Sequence, residues 1–584
     1  MEKIPKNNCR ILPEQLRSQR WFNQNDFRSF NHRSRMLQLG WAQEEFLNRP
    51  VIGILNTWSG LNACHMHFKD RVEGVKRGVL MAGGMPVELP CMSLYETLVK
   101  PSALLHRNLL AMEVEEMIRS NPIDGVVLMG GCDKTTPGLV LGAISAGVPA
   151  IFIPAGPMVK GVYRNQFLGS GSDAFKYWDD YRAGVCDEET LEGVCGGIAR
   201  STGTCMVMGT ASTMTCIMDA MGISIPGAAS IPAVDSSHIR MCSAAGRRIV
   251  DLVWEDVKLT DLITKESCEN GIAVAMAEGC STNAIIHVIA IARRAGIPVT
   301  IDDFDRISRM VPVLANIRPS GEKYLMEDFY YAGGVRALMN RMKQYLHLDC
   351  MTCTGRTIGE EIEGAQVYDD DVIRPLDNPV YPQGALAVLH GNLAPNGAVI
   401  KASACSPFLQ KHTGPALVFD DYPSYKKVAD SEALEVTPDS VIILRGCGPK
   451  GGPGMPEWGM VPIPGKLVRQ GVRDMVRISD ARMSGTSYGA CVLHVSPEAH
   501  VGGPLALVEN GDLITLDIPN RELTLHVSDE ELARRRKQWQ APGSKNERGY
   551  GWIYDRHVTQ AEDGCDFDFL QTDFGAACKE PDIF

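Results

Sequence analysis

A cysteine, an aspartate and a lysine stand side by side in the segment 130–138, as Cys132, Asp133 and Lys134. The apolar run 125–129 before them predicts a buried strand, and the apolar segment after them predicts a helix. In a parallel α/β sheet such a loop lies at the carboxyl end of a strand, where ligands bind. Thiolates suit iron or zinc and carboxylates suit magnesium, so the loop indicates two metal centres that meet at one point. The alternative is a tight turn with a buried cysteine and a surface ion pair.

Two further cysteines and a glutamate also stand in loops that follow predicted strands or precede predicted helices. Cys64 follows the apolar strand 51–55, Glu96 follows the strand 87–91, and Cys205 precedes a small, Met-rich segment that predicts a buried helix. Three thiolates on an iron–sulfur cluster leave one iron position free, and a free iron is a Lewis acid. The cysteines are far apart in the sequence, so their spacing leaves this cluster as one hypothesis beside three separate buried cysteines.

Composition and charge narrow the class of protein. The chain has 584 residues, of which 45% are hydrophobic and 22% charged, as in ordinary globular domains. Its net charge of −12 argues against a nucleic-acid surface. We find no apolar run long enough to span a membrane and no signal-peptide core in residues 1–20, so we expect a cytoplasmic protein without a membrane or nucleic-acid partner.

The 18 cysteines are scattered and do not follow the spacing of a small secreted disulfide domain. Most are therefore expected to be small buried hydrophobic residues. Cys350 and Cys353 form the one CxxC pair, and we interpret it as structural because no second pair accompanies it. His287, inside a predicted apolar helix, is interpreted as a core histidine.

The order of predicted elements divides the chain into three parts. Residues 1–48, polar and aromatic, predict an arm that packs on the body or on a neighbouring subunit. Strands, loops and helices alternate from 49 to about 310, which predicts an α/β domain, residues 49–375, with a parallel sheet covered on both faces. An acidic, proline-containing linker at 365–385 precedes short β-rich runs separated by turns, which predict a barrel-like domain at 376–584. These predicted strands are 385–389, 416–419, 441–444, 475–478, 491–495, 513–516 and 523–527.

Several long motifs, in order along nearly the whole chain, resemble the family of dihydroxyacid dehydratase and 6-phosphogluconate dehydratase. Within it, the segments 480–486 and 549–569 are most similar to the sugar-acid (pentonate) dehydratases. The matching motifs are 56–67, 131–137, 203–205 with 208–214, 281–284 (Ser-Thr-Asn-Ala), 391–395, 448–457 (Gly-Pro-Lys-Gly-Gly-Pro-Gly-Met-Pro-Glu) and 480–485 (Asp-Ala-Arg-Met-Ser-Gly).

The resemblance implies two cofactors and the residues that bind them. A [2Fe–2S] cluster would be held by three cysteines and magnesium by four further residues, one of them a carbamylated lysine. The implied ligands are Cys64, Cys132 and Cys205 for the cluster, and Glu96, Asp133, Lys134 and Glu457 for magnesium.

The resemblance also implies a base and a reaction. Ser484 matches the catalytic base, and Thr486 is expected to contact substrate. A 2,3-dihydroxy acid must lose a proton from C2 and hydroxide from C3, and hydroxide is a poor leaving group. Iron would take the C3 oxygen and magnesium the carboxylate and C2 hydroxyl, and a nearby cation would lower the pKa of the serine. The enol product would tautomerise to a 2-keto-3-deoxy acid.

The implied substrate is a sugar acid, such as L-arabinonate or D-xylonate, and the implied assembly is a homodimer or homotetramer. Gluconate, glycerate and 2,3-dihydroxy-3-methylbutanoate are alternatives in the same class. An iron–sulfur redox or sensor protein is an alternative of another class, although it would need no magnesium site and no base. A zinc hydrolase using Cys64, His65 and His67 would need a ligand spacing unlike known zinc sites.

Four segments admit further interpretations. Residues 448–454 are either a tight turn or a nest of backbone amides for a substrate anion, and Ser484 before Gly485 also suits a turn. Glu278-Gly279-Cys280 stands where the resembled family usually has glycines, and Met206-Val207 where Asn-Thr is usual. The first departure is expected to alter the pocket and the second the surroundings of the cluster.

Overall fold

The structure is a computed structural model that describes residues 11–571 and 580–583. The first ten residues of the predicted arm therefore lie outside the described residues, as do 572–579 and 584 of the predicted second domain. The rest of the arm forms the helices α1 (Gln19–Phe22), α2 (Phe27–Gln38) and α3 (Gln43–Phe46). Phe22 is buried against the body, whereas Phe27 and Phe30 on α2 are exposed.

A four-stranded parallel sheet forms the centre of the first part of the chain. Its strands stand in the order β2-β1-β3-β4, and every neighbouring pair is parallel. Alternate side chains of β3 enter different cores, since Leu128 packs with helices α5 and α6 and Val127 with α4 and α10. The predicted sheet covered on both faces is confirmed. The elements are β1 (Val51–Asn56), α4 (Phe68–Met81), β2 (Met85–Pro90), α5 (Arg107–Ser120), β3 (Gly125–Gly130), α6 (Thr135–Ala146), β4 (Ala150–Pro154) and α10 (Ser236–Glu255).

The predicted alternation of strands and helices up to about residue 310 is wrong beyond β4. The described chain adds only the hairpin β5 (Gly161–Tyr163) and β6 (Gln166–Leu168), and is otherwise helical to residue 362. Several of these helices are buried on all sides, so their apolar runs resemble those of buried strands. They are α7 (Ser170–Arg182), α8 (Glu188–Ile198), α9 (Thr210–Ala220), α11 (Leu259–Leu262), α12 (Lys265–Glu278), α13 (Ala284–Arg294), α14 (Ile301–Ser308), α15 (Met326–Tyr331), α16 (Gly334–Arg341) and α17 (Ile358–Ile362).

The segment between the sheet and the barrel has no regular structure. Residues 363–386 contain neither helix nor strand, in agreement with the predicted linker. Its Val372, Ile373 and Ala385 are nevertheless buried in the core of the first part. The linker is therefore a packed segment rather than a free tether.

Eight strands close into a barrel in the last part of the chain, in the order β10-β11-β12-β8-β7-β14-β13-β9. The predicted β-rich, barrel-like fold is confirmed. The sequence did not predict β8, because Pro395, Asn396 and Gly397 near its start are typical of turns. The elements are β7 (Ala387–Gly391), β8 (Ala394–Ile400), β9 (Lys411–Phe419), α18 (Tyr422–Val428), β10 (Val441–Leu444), α19 (Gly465–Arg469), β11 (Arg477–Ser479), β12 (Cys491–Ser496), β13 (Leu513–Asp517), β14 (Glu522–Leu525), α20 (Asp529–Gln538) and α21 (Gly549–His557).

The sheet brings the predicted site residues to one edge. Cys64 follows β1, Glu96 follows β2, and Cys132 and Asp133 follow β3, and these three strands are adjacent. Since all three are parallel, their carboxyl ends meet at the same edge. Cys205 joins them because Thr204 pairs with Pro157, just after β4. None of the helices in the described residues is long and apolar enough to cross a membrane.

Candidate active site

Three carboxylates converge at the carboxyl edge of the sheet. Glu96, Asp133 and Glu457 each present an oxygen atom, and these atoms lie within 4.8 Å of one another. Glu96 and Asp133 come from the sheet and Glu457 from the loop after β10, so the site spans both parts of the chain. Glu96 Oε2 is buried and accepts no hydrogen bond of good geometry among the described residues, although the Lys134 ammonium lies 3.1 Å from it. Three convergent carboxylates are a donor set suited to magnesium.

Lys134 lies beneath this group and is completely buried. Its Nζ is 2.8 Å from Asp133 Oδ2, 3.1 Å from Glu96 Oε2 and 3.6 Å from Glu457 Oε1. The pair is therefore not the surface ion pair that the sequence left open. Burial alone would raise the pKa of Asp133, but the Lys134 ammonium, the hydrogen bond from Cys132 and the Arg482 charge together hold that pKa below its usual value.

A second buried cation, Arg482, holds the carboxylates from the barrel side. Its Nη1 lies 3.0 Å from Glu457 Oε1, and its Nη2 donates to Ser102 Oγ at 2.8 Å. Ser102 Oγ in turn donates to Glu96 Oε1 at 3.3 Å. Asn283 Nδ2 donates to Glu457 Oε1 at 3.0 Å and also to the backbone oxygen of Met483.

These positioning residues were not singled out from the sequence. Arg482 and Asn283 lie inside the motifs 480–485 and 281–284, which was a usable signal. Ser102 lies outside every motif. Only the fold places it between Glu96 and Arg482.

The three predicted cluster cysteines line the same cavity as the carboxylates. This cavity has a volume of about 280 Å³. Eight of the nine residues predicted for the site line it. The ninth, Lys134, lies behind Asp133. The eight are Cys64, Glu96, Cys132, Asp133, Cys205, Glu457, Ser484 and Thr486.

The thiols of Cys132 and Cys205 are protonated as long as no metal binds them. A hydrogen bond with Cys64 and then burial raise the pKa of the Cys132 thiol well above its usual value. Burial raises the pKa of Cys205 to about 12. Cys132 Sγ donates to Asp133 Oδ1 at 3.1 Å, so the thiol group and the carboxylate group are in direct contact. Metal binding would have to displace the thiol protons.

Ser484 faces the carboxylates and thiols from the loop after β11. Its Oγ lies 2.8 Å from Thr486 Oγ1 and accepts a hydrogen bond from Thr486 N at 3.4 Å. A Cβ on Gly485 would lie 2.6 Å from Ser281 Oγ, so only glycine allows this close approach between barrel and helical layer. Ser484 thus stands at a turn and also points into the cavity.

His65 and His67 use their ring nitrogens within the protein. His65 Nε2 accepts from Cys132 N at 2.9 Å, and its Nδ1 lies 3.1 Å from Thr57 O. His67 Nε2 lies 2.9 Å from Ala155 O and its Nδ1 2.8 Å from Thr202 Oγ1. Neither ring has a nitrogen free for zinc, which argues against the zinc hydrolase alternative.

The glycine-rich loop 448–454 does form a nest of backbone amides, but the protein fills it itself. Glu498 Oε2 accepts from Gly451 N at 2.8 Å and Glu498 Oε1 from Lys450 N at 2.9 Å. Glu498 is buried, and burial raises its pKa to about 7. The interpretation of this loop as a substrate-anion site is therefore wrong.

The two departures from the resembled family lie outside the cavity wall. Glu278 and Cys280 are buried behind Ser281, and Met206 and Val207 are buried beside Cys205. The expected change to the pocket is thus indirect, through Ser281, whose Oγ lies 2.8 Å from Thr210 Oγ1 in the cavity wall. His287 is a buried core residue, as predicted.

Comparison with known proteins agrees with this geometry. The N-terminal model of the dihydroxy-acid/6-phosphogluconate dehydratases matches residues 49–361 and the C-terminal model matches 371–565. The chain is similar to 6-deoxy-6-sulfo-D-gluconate dehydratase of Pseudomonas putida, with 55% identity over 98% of both chains. It is also similar to L-arabonate dehydratase of Azospirillum brasilense (48% identity; 96% of this chain, 98% of the relative) and L-arabinonate dehydratase of Rhizobium leguminosarum bv. trifolii (46%; 96% and 97%).

The fold, the site and these relatives define an enzyme of the hydro-lyase class, a dehydratase. The chain belongs to the dihydroxy-acid/6-phosphogluconate dehydratase family.

Proposed function

We propose that the protein dehydrates an aldonic acid to its 2-keto-3-deoxy acid. The observation that carries this proposal is the convergence of three thiols, three carboxylates and the Ser484 hydroxyl around one cavity. A 2,3-dihydroxy acid needs a base at C2, a Lewis acid at its C3 hydroxyl and a counterion for its carboxylate. The three kinds of group in the cavity correspond to these three needs.

The side chains fit two cofactors. Cys64, Cys132 and Cys205 would hold a [2Fe–2S] cluster, because three soft donors line one cavity. Glu96, Asp133 and Glu457 would hold magnesium, because their oxygen atoms converge and one of them lacks a hydrogen bond. When bound, the cluster supplies a Lewis acid for the leaving hydroxyl, and magnesium supplies a second Lewis acid for the carboxylate.

Charge balance supports a carbamylated Lys134. As an ammonium, Lys134 with Arg482 leaves the three carboxylates in excess by one negative charge. Magnesium would turn that excess into a net positive charge beside a buried ammonium. A carbamate instead reverses the lysine charge and restores the single negative excess, and it adds the oxygen ligands that magnesium prefers.

Ser484 is the proposed base that removes the C2 proton, and Thr486 its neighbour in contact with substrate. Both the amide and the hydroxyl of Thr486 can donate to Ser484 Oγ, and such donors stabilise the anionic form of the serine. An iron–sulfur electron carrier or sensor needs no such serine and no carboxylate group. The redox alternative therefore leaves the serine and the three carboxylates of the cavity without a role.

The sequence motifs favour a pentonate such as L-arabinonate or D-xylonate as the acid. The two relatives named for arabinonate support this choice. The relative named for 6-deoxy-6-sulfo-D-gluconate gives a second candidate, a six-carbon acid. The two candidates share the reacting carbons C1 to C3 and differ in the far end of the molecule.

The test is a 2-keto acid assay across C3 to C6 aldonic acids with enzyme purified without oxygen in the presence of magnesium. We expect coloured protein and a 2-keto-3-deoxy product from at least one C5 or C6 acid. Coloured protein that carries iron, sulfide and magnesium but dehydrates none of these acids would contradict the proposal.

We also propose a homodimer or homotetramer. The support is the set of apolar side chains that the arm leaves exposed, since such groups usually mark an interface when they cluster. They are Phe27, Phe30, Leu37 and Leu39. Light scattering of the purified protein tests this part.

A further inference from the structure

The outer part of the cavity is formed by one short segment of the chain and one tryptophan. Tyr95, Thr97, Lys100, Pro101 and Trp458 line it, and Thr97, Lys100 and Pro101 are exposed to solvent. The carboxylates, the thiols and Ser484 are all buried or half-buried, so they form the inner part of the cavity. A substrate whose C1 to C3 meet those inner groups must therefore direct C4 and beyond towards this mouth.

Lys100 is the only cationic side chain among the described residues that line the cavity. Its Nζ donates to the backbone oxygen of Glu96 at 3.4 Å, and no described carboxylate forms an ion pair with it. The other cations of the site, Lys134 and Arg482, are buried among the carboxylates and already paired. The Lys100 ammonium at the mouth therefore has no carboxylate partner among the described residues.

The backbone around Lys100 is fixed relative to the carboxylates. Val99 N donates to Tyr95 O at 2.8 Å, which closes a turn just before Lys100. Two residues after Lys100, Ser102 Oγ donates to Glu96 Oε1 and accepts from Arg482. The Lys100 side chain therefore projects from a backbone segment, residues 95–102, whose two ends are held near Glu96 by hydrogen bonds.

The charges of the cavity decide where a second anionic group can lie. Carboxylates and thiols line the inner part of the cavity. A second anionic group of the substrate would be repelled there, or would compete with the substrate's own carboxylate for the same place. At the mouth, Lys100 offers a compact charge that donates strong hydrogen bonds to an oxyanion. A neutral hydroxymethyl end, as in a pentonate, would gain much less from it.

We propose that Lys100 is a subsite for a terminal oxyanion, a sulfonate or a phosphate, so that the preferred substrate is a six-carbon aldonic acid with such a group on C6. This inference rests on the proposed dehydratase function and chooses between its two candidate acids. Lys100 is then a specificity-determining residue that touches the end of the substrate remote from the reacting carbons.

The experiment compares kcat/KM for 6-deoxy-6-sulfogluconate, 6-phosphogluconate, gluconate and L-arabinonate in wild-type holoenzyme, Lys100→Met and Lys100→Arg. We expect wild type to prefer one of the two acids with an anionic group on C6 to gluconate by at least tenfold in kcat/KM. The comparison of 6-deoxy-6-sulfogluconate with 6-phosphogluconate shows whether that group is a sulfonate or a phosphate. Lys100→Met should reduce this preference at least tenfold, mainly through KM, and Lys100→Arg should retain most of it. The preference should also weaken as ionic strength rises.

The matched control is Lys176→Met, an exposed lysine beside a separate pocket. It should leave the preference as in wild type. A wild-type preference for gluconate or arabinonate over both charged acids, or a charged-acid preference that survives in Lys100→Met, would overturn the subsite while the dehydratase function stands. Failure of fully loaded wild type to dehydrate any of these four acids or any other acid of the C3 to C6 panel would overturn both.

Discussion

His65 Nε2 lies 2.9 Å from the backbone nitrogen of Cys132 and accepts its hydrogen bond. Burial lowers the pKa of His65 to about 4, so the ring is neutral at physiological pH and keeps a lone pair to accept with. The residue after Cys64 thereby fixes the backbone at Cys132. Two of the proposed cluster ligands are held together by the protein itself, before any iron binds.

We predict that Cys64→Ser, Cys132→Ser and Cys205→Ser each lose the cluster, because a hydroxyl is a poor ligand for iron. The visible spectrum and the iron and sulfide content of anaerobically purified protein check this. Cys350→Ser is the matched control, since Cys350 lies outside the cavity, and Cys353→Ser should keep the cluster too. Full iron and sulfide in one of the three variants would remove that cysteine from the ligand set.

Lys134 should carry a carbon dioxide adduct when magnesium is present. Protein exchanged with ¹³C-bicarbonate should show a magnesium-dependent carbamate carbon signal, which Lys134→Arg should lack because guanidinium does not form a stable carbamate. Lys134→Arg should also bind magnesium more weakly, since it places a fixed positive charge among the ligands. A wild-type spectrum without that signal under saturating magnesium would show an unmodified ammonium.

Ser484→Ala should reduce kcat by about 10²–10⁴-fold, the usual contribution of a positioned general base. It removes one hydroxyl and should leave the cluster spectrum, magnesium binding and KM close to wild type. The measurement pairs kcat with the visible spectrum in this single variant. Near-normal turnover beside an intact spectrum would assign the base to another residue.

The buried ion pair between Arg294 and Asp566 should be important for stability. Arg294 on α13 donates from Nη2 to both carboxylate oxygens at 2.7 Å, and the two side chains are 3% and 0% exposed. Arg294→Met leaves a buried carboxylate without its partner, which typically costs about 3–5 kcal/mol of unfolding free energy. Urea unfolding followed by circular dichroism checks this.

An exposed pair provides the comparison. Glu189 lies 3.5 Å from Arg164, and their side chains are 84% and 64% exposed. Glu189→Gln should leave the unfolding midpoint unchanged, because solvent screens such pairs. Equal effects of Arg294→Met and Glu189→Gln would contradict the assigned role of burial.

The sequence predicted the sheet, the barrel and the loops of the site because these features are local. Short apolar runs such as 125–129 and the turns around them specify strands directly. Not every helix after β4 was distinguished from a strand, because α12, for example, is buried from Gly271 to Ala277 without a polar residue. Amphipathic periodicity disappears when every face of a helix is covered.

The partners of the site residues could not be predicted in the same way. Ser102 contacts Arg482 because the barrel docks on the sheet. Glu498, just after β12, fills the loop at Lys450 and Gly451 because the barrel brings the ends of β10 and β12 together. Such contacts join residues far apart in the chain, and no local pattern encodes them. Motifs indicate which residues matter, whereas the fold decides what each one touches.

The occupied nest has a consequence for how the enzyme meets its substrate. The loop 448–454 leads into Glu457, and its Lys450 and Gly451 amides donate to Glu498 within the protein itself. The entropic cost of ordering this loop is therefore part of the free energy of folding. It does not reduce the binding free energy of the substrate. The carboxylate of Glu457 stands preorganised, and an arriving sugar acid encounters a rigid receptor rather than a loop that must close around it.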